Sequence, residues 1–146
     1  MRSLKIIIIT ALITALGATL TFARHHDETS EMRVFVSRDG LMHLISDQRA
    51  ILRNSDVDAA EFIRAANGLS AMFAMIPSVF EKNAMVDGSR AKPEIWQNWD
   101  EFVSVANAQS IVAASIAITA ETSGLDAARE KVSEINCGSC HTPFRN

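Results

Sequence analysis

Apolar residues recur along most of the chain at spacings of three and four, the period of an amphipathic helix. From Glu31 to Leu52, Val34, Leu41 and Gln48 share one heptad position and Arg38, Ile45 and Leu52 another, with Phe35 and Met42 adjoining. This predicts a first helix whose apolar face carries two polar intrusions. Ser55, with Asp58 three residues on, reads as a cap for a second helix, along which Ala59, Phe62, Ala66, Leu69, Phe73, Ile76 and Phe80 form the cleanest core stripe. Pro77 is expected to end or kink it. Asn83 to Arg90 has no apolar period and contains Asp87-Gly88, so it reads as the longest loop. A third helix starts near Pro93 with Trp96, Trp99, Val103, Ala106, Ser110, Ala113, Ala117 and Ala120 on one face. Ser123 and Asp126 open a fourth, carrying Leu125, Ala128, Val132 and Ile135 and running into Cys137. Four helices with mainly short connections predict an all-α fold, an antiparallel up-down-up-down four-helix bundle.

The start of the chain has a different pattern. Met1-Arg2-Ser3-Leu4-Lys5 is basic, Ile6 to Leu20 is apolar, and Thr21-Phe22-Ala23 offers small residues for cleavage. Residues 1–23 therefore read as a secretory signal peptide and 24–146 as the mature domain; an uncleaved anchor is the alternative, against which the run is short. No second apolar stretch predicts a membrane span after cleavage. Export removes two basic residues, leaving 12 against 17 acids, so the mature domain is about five charges negative. Without a basic stripe interleaved with aromatics, nucleic acid is not an expected partner. Hydrophobic residues at 48% allow a packed core and exclude disorder.

The only two cysteines lie in Cys137-Gly138-Ser139-Cys140-His141. Cys-x-x-Cys-His is the c-type haem attachment signal: two thiols a helical turn apart add to the two vinyl groups, and the next residue offers an imidazole to the iron. At about 100° per residue, Cys137, Cys140, His141 and Phe144 share one side of a helix. Three other readings compete. A thiol redox pair usually opens a helix after a strand, and none is predicted before Cys137. Zinc would need a further ligand from His25, His26 or His43, which lack finger-like spacing. A disulfide between residues three apart on a helix would be strained.

The chain resembles the cytochrome c prime family, four-helix bundles with a covalent haem near the C-terminus. The haem motif is followed by Phe144-Arg145, where the family carries a basic residue four positions after the haem histidine. The third helix begins Lys92-Pro93-Glu94-Ile95-Trp96 with Phe102 downstream, and Arg38-Asp39-Gly40-Leu41-Met42 is similar to the family's Arg-Gln-x-x-(Leu/Met) segment. The resemblance implies one haem c held by Cys137 and Cys140, His141 as proximal iron ligand, and Met42 facing the iron from the distal side. It also implies Arg38 at a haem propionate and Arg145 beside His141, where a cation tends to raise the iron potential. Asp39 stands where the family usually has Gln, a departure that bears on the propionate contact.

Bland readings stand beside these. Arg38 could snorkel at the bundle edge, and Met42 could simply fill the core. His43 points about 100° away from Met42 and reads as a surface residue; Trp96 and Trp99 read as core anchors. Arg24-His25-His26 would expose a free amine and His26 as a copper or nickel chelate, against a plain tail. The leading expectation is a periplasmic monohaem cytochrome, not an enzyme, that passes electrons between periplasmic redox proteins. The alternatives are binding of nitric oxide or carbon monoxide at an open distal face, and a haem-free thiol redox bundle. Pairing into a homodimer through the first two helices is what the resemblance implies for assembly.

Overall fold

The computed structural model describes residues 30–146; the expected signal peptide, its cleavage site and the Arg24–His26 tail lie outside the described residues. Four long or medium helices make the bundle. Helix α1 spans 30–53, α2 Ala59–Phe80, α4 Trp99–Ser123 and α5 Leu125–Lys131. Two short helices flank them, α3 at Glu94–Gln97 and α6 at Gly138–Phe144.

Side-chain contacts fix the helix directions. Arg38, early in α1, bonds the carbonyl of Val79 at the end of α2, so those two run antiparallel. Phe80 meets Phe102 with ring centroids 5.2 Å apart, and Ser70 and Ser110 exchange hydroxyl bonds. Stepping back along α2 thus corresponds to stepping forward along α4. Arg129 of α5 donates to the carbonyls of Asn54, Ser55 and Val57, returning the fourth helix to the α1–α2 turn. Between them lies a core that includes Leu41, Ile45, Phe62, Leu69, Phe102 and Ile116, within the compact unit Val34–Asn146.

Several local expectations are corrected. Asp58, not Ser55, caps α2: its Oδ1 accepts the Glu61 N–H at 2.7 Å, while the Ser55 hydroxyl bonds Asp56 in the exposed turn. Pro77 does not end α2, which continues to Phe80 because Phe73, Ile76 and Phe80 around it are all buried and hold the last turn. The third helix is broken at Asn98, where φ −122° and ψ 49° separate α3 from α4. Along α4 the expected Ala106, Ala113, Ala117 and Ala120 are buried, and Phe102, Gln109 and Ile116 join them, while Val103 and Ser110 are only partly buried.

The fourth helix differs most. Ser123 is the last residue of α4, and Gly124, at φ 92°, a value L side chains rarely adopt, turns the chain into α5. Helix α5 tightens to a 3₁₀ turn at Val132–Glu134 and stops at the extended Ile135. The cysteine motif therefore does not end the fourth helix. It opens a separate one, α6, with Cys137 at its N-cap.

Candidate haem site

Helix α6 is held at both ends. At its start, the Asn136 N–H donates to Oε1 of Gln109, buried on α4, at 2.8 Å. At its end, the Lys92 N–H donates to the Phe144 carbonyl at 3.0 Å, the Asn146 N–H donates to the Arg90 carbonyl at 2.9 Å, and buried Phe144 sits edge-on to Phe102. These anchors leave Cys137, Cys140 and His141 lining one cavity of about 530 Å³. From α1, Arg38, Asp39, Met42, Ile45 and Arg49 also line it, and Phe73, Phe80 and Phe102 add apolar surface. That volume lies within the range of cofactor pockets. A more open groove of about 540 Å³ along the outer face of α4, at Trp99, Val103 and Ile111, holds none of these groups.

All seven site residues expected from sequence line this one cavity. Met42 is partly buried and packs against the core, and His43 is exposed, with its Nε2 3.5 Å from Asp39 Oδ2. Arg38 is only 4% exposed, so it does not snorkel. Its guanidinium donates to the carbonyls of Val79 at 3.0 Å, Ala84 at 2.7 Å and Lys82, and lies over the rings of Phe80 and Trp96. Trp96 in turn donates its indole N–H to the Phe80 carbonyl at 2.7 Å. Arg38 thus ties α1 to the end of α2.

Arg145 Nη1 is 3.2 Å from His141 Nδ1. Burial, with Arg145 and Arg90 adding to it, holds the His141 ring below its usual range, which favours the neutral imidazole that can ligate a metal. Burial pushes the Cys140 thiol up. Among the described residues no group of three or more His, Cys, Asp or Glu is placed to hold a bare metal ion; His25 and His26 lie outside the described residues.

Gln109, Arg49 and Arg90 line the cavity without having been singled out as site residues in the sequence. Gln109 carried a signal, a polar side chain midway between the stripe positions Ala106 and Ala113. Arg49 lies two turns beyond Met42 on the same face of α1, and its Nε is buried without a hydrogen-bond partner.

Residues 37–145 match the sequence family described as Cytochrome C'. The chain belongs to this family. Cytochrome c-554 of Cereibacter sphaeroides is 29% identical over 156 aligned positions, covering 99% of this chain and 98% of that protein. Cytochrome c-556 of Agrobacterium tumefaciens is 30% identical over 118 positions, covering 74% and 93%. Among solved structures, cytochrome c prime from Alcaligenes xylosoxidans superposes with a TM-score of 0.68 at 19% identity, covering 80% of this chain and 96% of that one. Cytochrome c' from Thermochromatium tepidum gives 0.62 at 21%, covering 77% and 94%. Membership makes this a monohaem c-type cytochrome whose cofactor is one covalent haem c, and the chain's only two cysteines stand in the attachment motif. The cavity fits that group: its lining combines apolar side chains, two free thiols, an imidazole and a buried arginine N–H without a partner. Haem c supplies a one-electron iron couple.

Proposed function

We propose that this cytochrome carries single electrons, with Met42 as the sixth iron ligand opposite His141. In this reading Cys137 and Cys140 hold the haem by thioether bonds, and Arg38, Asp39 and Arg145 border it. The observation that carries it is that Met42, on α1, lines the same cavity as Cys137, Cys140 and His141. A thioether is a competent iron ligand, and His43, which also lines the cavity, has its Nε2 3.5 Å from Asp39 Oδ2. The chain is exported by cleavage after Ala23 and exchanges electrons with periplasmic redox proteins, acting as a carrier and not as an enzyme. Pairing through α1 and α2 is proposed by family resemblance.

The second reading leaves the distal face open to a small gas. It draws support from a structural neighbour, a variant of Alcaligenes xylosoxidans cytochrome c prime solved as a nitrosyl complex, 20% identical to this chain. One optical spectrum of the reduced protein separates the two. A low-spin spectrum indifferent to carbon monoxide supports electron transfer, whereas a high-spin spectrum that carbon monoxide shifts refutes methionine ligation and leaves gas binding.

A further inference from the structure

Four arginines line the cavity, Arg38, Arg49, Arg90 and Arg145, against one acid, Asp39, which is engaged with His43. The cavity is therefore electropositive in a chain whose overall formal charge is −3. Three of the four arginines have partners in place. Arg38 is held by three backbone carbonyls, Arg90 Nε donates to the Asn146 carbonyl oxygen at 2.9 Å, and Arg145 sits against His141. Arg49 differs. Its Nε is buried without a partner, and no ion pair to it occurs among the described residues. A guanidinium is charged at every relevant pH and has only donors, so a buried N–H of this kind costs stability until an acceptor reaches it.

The geometry points to Arg49 as the residue that binds a haem carboxylate. Haem c brings two carboxylates, and a planar, permanently charged fork is the side chain best matched to one of them. Arg38, to which family resemblance gives that role, has three of its five N–H donors on Val79, Lys82 and Ala84. The inference rests on haem c occupying this cavity. It moves the carboxylate contact three helical turns along α1, from Arg38 to Arg49.

The test uses the haem-loaded protein and the variants Arg49→Gln and Arg49→Lys. Mass spectrometry first establishes the covalent haem, so that a chain without it would refute the cofactor and not the arginine. The reduction potential is then followed between about pH 4 and 8. A paired carboxylate stays ionised through most of this range, and removing the cation lets it titrate there. Arg49→Gln is expected to lower the potential, because a positive charge near the iron is lost, and to add a pH-dependent step absent from the wild type. Arg49→Lys keeps the charge and should retain most of the wild-type profile. An unchanged profile in Arg49→Gln overturns the inference. Should that variant not fold, a crystal structure of the loaded wild type decides: Arg49 within hydrogen-bond distance of a haem carboxylate upholds it, and Arg49 turned to solvent overturns it.

Discussion

Replacing Arg38 by Met tests how the distal wall is held. Met keeps an unbranched stem of similar length and removes the guanidinium, so the aliphatic packing beneath Phe80 and Trp96 is largely preserved. Lost are three charge-assisted bonds to the carbonyls of Val79, Lys82 and Ala84. Each such bond contributes about 1.5–3 kcal/mol, but they share one donor group and do not add. Against them stands the cost of keeping a buried cation, which Met removes and which amounts to several kcal/mol. The carbonyls left behind at the end of α2 partly recover by bonding water at the adjoining loop. The balance is a destabilisation of about 3 kcal/mol. Urea unfolding of the loaded protein should show a lower midpoint with an unchanged slope, and hydrogen exchange should quicken at residues 80–84 and at the Trp96 indole before it does elsewhere. A loss below about 1 kcal/mol with unchanged exchange would refute the idea that Arg38 fastens α1 to α2. A pH-dependent change in reduction potential from the same variant would instead place a haem carboxylate at Arg38.

Met42→Leu is nearly isosteric and should cost less than about 1.5 kcal/mol of stability, while converting a low-spin iron to a high-spin one and lowering its potential; identical high-spin spectra in both proteins would eliminate methionine ligation. Cys137→Ser with Cys140→Ser should leave a mature protein lacking one haem in its mass. In that haem-free chain, His141 has a folded-state pKa below its unfolded value. Its contribution to stability is therefore full above about pH 6.5 and is lost as pH falls through the lower folded value, a dependence that Arg145→Leu should weaken in an NMR titration of the ring. Gln109→Leu removes the acceptor for the Asn136 N–H and should cost about 1–3 kcal/mol, with faster exchange at that amide if Gln109 anchors the start of α6.

The chemistry was legible in the sequence because it is local. Cys137, Cys140 and His141 lie within five consecutive residues, and their spacing alone announces covalent haem. The α2 stripe was equally plain, since Phe62, Ala66, Leu69, Phe73, Ile76 and Phe80 are all buried as their period requires. Caps and breaks were less legible. Ser55 and Asp58 are both good caps in the abstract, and only the path of the α1–α2 turn decides that Asp58 points at a helix N–H. The break at Asn98 that divides the third helix into α3 and α4 was not legible, although Ala106, Ala113, Ala117 and Ala120 beyond it are buried as their period requires.

Tertiary structure decided the rest. That α6 is a separate helix follows from Gln109 and the Arg90–Lys92 segment, which hold its two ends from 27 and about 50 residues away in sequence. Arg38 and Arg49 look alike in sequence, two arginines on one face of α1. Their difference arises from what the fold brings to each: three carbonyls from the end of α2 and the loop after it to one, and no partner for the buried Nε of the other. Sequence fixes which groups a helix face presents. The partner that satisfies each group comes from elsewhere in the chain or from the cofactor, and packing alone determines which of them arrives.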